Sequence, residues 1–127
     1  IKNVAQILKN KYNSDIPNNV DELIKLPGVG PKMAYITMNT AWKKVCGIGV
    51  DTHVHRICKR IGWVPSNSSS PEQTRKILES WLPYQHWGNI NQTLVGFGQE
   101  ICTPTKPKCG LCELKQICPY FNTVAKK

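Results

Sequence analysis

The hardest constraint on how this chain folds is carried by four cysteines near its end. Cys102, Cys109, Cys112 and Cys118 follow the pattern C-x6-C-x2-C-x5-C. Four thiolates in so short a segment can ligate a tetrahedral metal ion or an iron-sulfur cluster. Zinc ribbons usually bring two close CxxC pairs, whereas only Cys109 and Cys112 are so paired here. Two disulfides are the other use of four cysteines. They suit small stapled secreted domains, and the rest of this sequence reads as intracellular and helix-rich. Cys46 and Cys58 stand outside the pattern, and Cys58 falls on an apolar stripe that places it in a core.

The 127 residues suit one domain with a single core. Ile1, Val4, Ala5, Leu8 and Tyr12 share one helical face, and the stretch from Asn13 to Pro17 ends that helix. A short helix is predicted over Val20 to Leu26, with Asn19 as N-cap and Glu22 completing a capping box, until Pro27 and Gly28 stop it. Pro31 opens another through Ala41, and Gly47 and Gly49 mark the loop after it. From Thr52 to Ile61, Val54, Ile57, Cys58 and Ile61 form an apolar stripe, while His53, Arg56 and Arg60 share a face left free for a ligand.

Residues 65 to 69 form a polar connection, after which Ser70, Pro71 and Gln73 start a helix reaching Leu82. Trp87, Ile90, Leu94 and Phe97 mark one more helix, and helical spacing assigns Trp63, Trp81 and Trp87 to the core. No segment alternates like a strand and no repeat is present, so the class is all-α with short connections. The chain divides by this reading into a helical part, residues 1–98, and a cysteine loop with its tail, residues 99–127. Its first residues already carry a helical pattern, and there is no starting methionine, so the chain is expected to be a piece of a longer protein.

Lys and Arg number 17 against 8 Asp and Glu, a net charge of +9, which suits partners that carry phosphate. No apolar run approaches a membrane span, and no basic amphipathic helix with an aromatic face favours a membrane surface. Nucleic acid is the expected partner. Residues 26 to 30 read LPGVG between two helices. Glycines there permit positive φ and leave the backbone bare, so N–H groups can approach a phosphate at the positive end of the next helix. Such a contact grips a nucleic-acid backbone without reading its sequence.

LPGVGPK, followed 18 residues after its lysine by VDTH, resembles the helix-hairpin-helix DNA glycosylases. VDTHVHRI and LVGFGQ are similar to endonuclease III homologues of eukaryotes and archaea, and the resemblance runs from Ile1 to about Tyr120. It implies an all-α helix-hairpin-helix glycosylase fold, with the motif at about residues 20–42. It also implies a four-iron, four-sulfur cluster on Cys102, Cys109, Cys112 and Cys118, since their spacing resembles the cluster loop of that family.

By the same resemblance Lys32 is the nucleophile and Asp51 its acidic partner. Breaking an N-glycosidic bond builds positive charge on the sugar, which a carboxylate stabilises and a neutral amine captures as an imine. The implied activity is removal of oxidised pyrimidines from duplex DNA in base excision repair, followed by nicking at the abasic site through β-elimination. Leu26, Gly28, Val29, Gly30 and Lys32 are the expected hairpin contacts to DNA, joined by His53 and Arg56 and by Lys106 and Lys108 of the cysteine loop. The expected molecule is an intracellular monomer, and if eukaryotic it is expected in the nucleus and the mitochondrion. An adenine-mismatch glycosylase shares hairpin, aspartate and cluster but lacks this lysine, and a non-catalytic DNA-binding module would need neither Lys32 nor Asp51. Family members carry further N-terminal helices that complete the damaged-base pocket. The preferred base is therefore not readable from this stretch, nor is its activity in isolation.

Overall fold

The computed structural model describes residues 1–124. Its elements are α1 (Lys2–Lys11), α2 (Val20–Ile24), α3 (Pro31–Trp42), α4 (Thr52–Ile61), α5 (Pro71–Trp81), α6 (Trp87–Glu100) and α7 (Pro119–Val124), with 3-10 turns at Tyr84–His86 and Cys109–Leu111. No strand occurs among the described residues, as the missing alternation predicts. No helix among them is long and apolar enough to cross a membrane. The chain packs as two compact units, Ile1–Gly49 and the residues from Val50 onward. The division predicted at residue 98 falls inside α6, within the second of these units.

In the first unit, α1 ends on Tyr12 and the chain turns back through Asn13 and Ser14, both at positive φ. Asn19 caps α2, its side chain accepting from Asp21 N at 2.8 Å and Glu22 N at 3.2 Å. The helix stops at Ile24, two residues short of the predicted Leu26. A residue before proline disfavours helical backbone, and Leu26 precedes Pro27. Leu23, Leu26, Ala34 and Met38 make the core, with Val4, Ile7, Leu8 and Trp42 packed on it. α1 itself has no fully buried residue, so it covers this core from one side only.

In the second unit α4 is the central element and packs against α5, α6 and α7. Its Val54, Ile57 and Cys58 are fully buried, facing Thr74 and Leu78 of α5 and Ile90, Leu94 and Gly98 of α6 at the heart of the unit. Burying a side chain of this size stabilises by about 1.5–3 kcal/mol. Burial also pushes the Cys58 thiol up to about 12, which keeps it protonated and inert. Gly62 ends α4 at φ 81°, and Trp63 N closes back on Cys58 O at 2.9 Å. Ser70 caps α5 from outside Pro71, its hydroxyl accepting from Gln73 N, while the Gln73 side chain accepts from Ser69 N.

The tryptophans correct the sequence reading. Trp63 is 38% exposed and Trp81 46%, and the two rings meet edge to face at 5.6 Å on the surface. Trp87 is half-buried and donates its indole N–H to Leu82 O at 2.8 Å. Helical spacing finds the correct side of a helix, but a ring this large reaches past the core and keeps one edge in water.

Candidate functional site

The hairpin is a turn closed by its own backbone. Val29 N donates to Leu26 O at 3.1 Å, with Pro27 and Gly28 between them and Gly28 at φ 79°. Proline followed by a positive-φ glycine suits a type II turn. Gly30 adopts ordinary extended backbone at φ −98° and caps α3, so its value lies in the room it leaves. Nothing lies within 4 Å of a Cβ built on Gly28 or on Gly30. The N–H groups of Lys32 and Met33 stand in the first turn of α3, where a helix offers no internal acceptor and carries its positive pole.

Two hairpin expectations change. Leu26 is 6% exposed and belongs to the core, so its side chain anchors the turn from beneath and is not presented to a ligand. The Val29 N–H is spent on closing the turn. Lys32 is exposed on the outer face. On the same unit, a Cβ on Gly49 would come 2.7 Å from Ile36 Cγ1 and 3.6 Å from Lys32 O. The segment leading to Asp51 thus passes against the backbone of α3, and only glycine fits there.

Asp51 caps α4, its Oδ1 accepting from Val54 N at 2.8 Å. This orients a half-buried carboxylate and leaves Oδ2 without a partner among the described residues. Further along α4, the face assigned to a free ligand is a second packing face. Arg56 Nη2 donates to Cys102 O at 2.8 Å and to Gly98 O at 3.3 Å, and lies 3.2 Å from His53 Nδ1. Burial and the neighbouring Arg60 cation lower the Arg56 pKa from its ordinary value. The expected Arg56 contact to DNA is therefore replaced by an internal tether.

Arg60, on the same face, does more than Arg56. Its Nη1 donates to Thr103 O at 2.7 Å and lies 3.4 Å from Cys102 Sγ, its Nη2 donates to Pro104 O at 2.8 Å, and its guanidinium stacks 4.5 Å from the Tyr120 ring centroid. The i, i+4 spacing of Arg56 and Arg60 puts both on one face but does not show that their partners are backbone carbonyls. The loop also closes on itself, with Thr103 Oγ1 donating to Lys106 O at 2.7 Å and Lys108 N to Ile101 O at 2.9 Å. Lys106 and Lys108 are exposed on this braced loop.

None of the six cysteines is disulfide-bonded. Cys102, Cys109, Cys112 and Cys118 are all half-buried. Burial, and then the facing charges of Cys102, Cys118 and Cys112, raise the Cys109 pKa, while Arg60 opposes them. Four thiols close enough to repel one another as thiolates are a donor set that cationic iron neutralises, so these residues fit a cluster. Among the described residues no three His, Cys, Asp or Glu side chains close tightly enough to hold a lone metal ion.

Comparison with known proteins places this geometry. Residues 11–38 match the helix-hairpin-helix motif, and residues 102–118 match the iron-sulfur binding domain of endonuclease III. The chain is 56% identical over 119 residues to endonuclease III-like protein 1 of Gallus gallus, across 94% of this chain and 42% of that protein. The chain is an endonuclease III homologue. Among solved structures it is similar to a non-covalent endonuclease III–DNA complex, with TM-score 0.88 and 35% identity, over 98% of this chain and 57% of that one. A trapped endonuclease III–DNA covalent intermediate matches with the same TM-score of 0.88, 33% identity and the same coverage of 98% and 57%. The homologue thus spans 42% to 57% of the length of these relatives. It has the helix-hairpin-helix fold of the family, with an all-α body and a cysteine loop for a four-iron, four-sulfur cluster.

Proposed function

We propose that this chain carries the chemistry of a bifunctional DNA glycosylase and abasic-site lyase of base excision repair, acting on oxidised pyrimidines in duplex DNA. The observation that carries this reading is Lys32, exposed on the first turn of α3 immediately past an open hairpin, in a chain similar to an endonuclease III trapped covalently on DNA. The hairpin backbone and Lys106 and Lys108 grip phosphates, and the target nucleotide leaves the stack to reach the site.

The Lys32 amine, once neutral, bonds to C1′ of the sugar as the bond from C1′ to the base breaks and the base departs with that electron pair. Asp51 stabilises the positive charge that builds on the sugar. The nitrogen lone pair then closes a C=N bond as the C1′–O4′ bond breaks, O4′ takes up a proton as a hydroxyl, and the opened sugar is held to Lys32 as an imine. The imine acidifies C2′, and loss of a C2′ proton expels the 3′ phosphate, which cuts the strand. Cys102, Cys109, Cys112 and Cys118 ligate the cluster. When bound, it supplies a rigid core for the loop that bears Lys106 and Lys108.

Borohydride reduction tests this directly, because it freezes an imine as a stable amine. Lys32→Gln keeps a long polar side chain and loses the nucleophile. It is expected to bind DNA, yield no trapped complex, and release bases slower by orders of magnitude. Trapping at wild-type yield would assign the nucleophile to another amine. Asp51→Asn keeps a good N-cap for α4 and removes the anion, so it is expected to slow base release while still trapping on a ready-made abasic site.

A further inference from the structure

His53 stands two residues past Asp51, half-buried in the first turn of α4. Its Nδ1 is 3.2 Å from Arg56 Nη2. A guanidinium carries only hydrogens, so the contact runs one way: Arg56 donates and Nδ1 accepts. The hydrogen of the ring is then on Nε2, which has no partner among the described residues.

Arg56 is not free to turn elsewhere. The same nitrogen is anchored on Cys102 O at 2.8 Å and shares its hydrogens with Gly98 O at 3.3 Å. Gly98 explains why the ring and the guanidinium can meet. It lies inside α6, where glycine costs about 0.5–1 kcal/mol relative to alanine. A Cβ there would stand 2.8 Å from His53 Nδ1, 2.9 Å from Ile57 Cδ1 and 3.0 Å from Arg56 Nη2. The missing side chain is the space the pair occupies.

We propose that Arg56 is a positioning residue that fixes His53 as its Nε2–H tautomer, in room left by Gly98, so that the ring offers a donor to an anionic oxygen of the DNA backbone beside Asp51. The direction matters because phosphate oxygens only accept. The other tautomer would meet them with a lone pair. The destination of the donor rests on the DNA-binding reading above, while the tautomer itself does not.

Nitrogen NMR of the cluster-loaded chain with labelled histidine reads the tautomer without DNA. The His53 signals are identified as those lost in His53→Gln. At a pH where the ring is neutral, wild-type His53 is expected to show a bare Nδ1 and a protonated Nε2. Arg56→Met, checked for retained visible absorption and circular dichroism, is expected to give a mixture of tautomers. A hydrogen on Nδ1 in the wild type, or a ring unchanged by Arg56→Met, overturns the proposal.

Should Arg56→Met fail to fold, a second comparison leaves Arg56 in place. The Gln amide nitrogen mimics Nε2–H and that of Asn mimics Nδ1–H. On a duplex with a tetrahydrofuran abasic analogue, His53→Gln is expected to bind within about twofold of wild type, and His53→Asn about tenfold more weakly, one charged hydrogen bond's worth. Equal affinities for the two variants would overturn the proposal.

Discussion

The hairpin of residues 26–30 and the cysteine loop of residues 102–118 are both short, irregular segments with basic side chains nearby, and the chain treats them in opposite ways. The hairpin is closed by one backbone hydrogen bond and a positive-φ glycine, and among the described residues no side chain lies within 4 Å of a Cβ built on Gly28 or Gly30. The cysteine loop is held from α4 by two arginines that donate to Gly98, Cys102, Thr103 and Pro104 carbonyls. On the proposed function the bare segment is the one that meets DNA, and every bond spent internally is one fewer to give. A segment that must hold a shape while its ligands repel is braced from outside. The same helix that braces it begins at Asp51.

The largest effect that could break this contrast lies in the cysteine loop. Replacing Cys109 or Cys112 with Ser is expected to remove the visible absorption of the cluster and most of the folded yield, because the remaining thiolates lose their counter-charge. Cys46→Ser, at an exposed thiol outside the loop, is expected to change neither. Absorption spectra and soluble yield of the variants decide it. A colourless wild-type protein holding one zinc would refute the cluster assignment.

A smaller effect separates the two hairpin glycines. Gly28→Ala forces a side chain into left-handed backbone and is expected to cost about 1–2 kcal/mol of stability, seen in denaturant melts. Gly30→Ala meets neither a positive φ nor a neighbour. Its weaker cap is offset by the stiffer unfolded chain, so stability is expected to hold within about 0.5 kcal/mol. DNA affinity is nonetheless expected to fall on damaged and undamaged duplexes alike, since the methyl group stands where a phosphate must approach. If Gly30→Ala binds as wild type, the bare hairpin is not an interface.

The smallest effect is in pH. His55 Nδ1 is 2.7 Å from the buried Thr74 hydroxyl, and burial, with Lys59 second, lowers its pKa from the ordinary 6.5. The unfolded chain therefore binds the proton more readily. Stability from this group is complete above pH 6.5 and is lost as pH falls through the lowered folded value. Melting temperatures are expected to decline below that pH, and His55→Asn is expected to flatten the decline. An identical slope in the variant would assign it to another group.

Sequence legibility follows the same contrast. Both ends of α4 fell at the expected Thr52 and Ile61, because the apolar stripe of Val54, Ile57, Cys58 and Ile61 marks the length of the helix. Lys32 is exposed in the first turn of α3, the helix that Pro31 announces, and Asp51 stands at the head of α4. The roles of Arg56 and Arg60 were not readable. Periodicity names the face a side chain leaves from, and their partners are backbone carbonyls, which leave no mark in a sequence. The helix Pro119–Val124 was missed because six residues are too few to show a period.

The grip of Arg60 also bears on how this surface can change. It holds the oxygens of Thr103 and Pro104, atoms that every amino acid supplies. Most side chains of the loop are thereby released from the task of keeping its shape, and Lys106 and Lys108 can be exchanged for neutral or acidic residues on an unaltered scaffold. Salt sensitivity becomes adjustable one charge at a time, without renegotiating the fold.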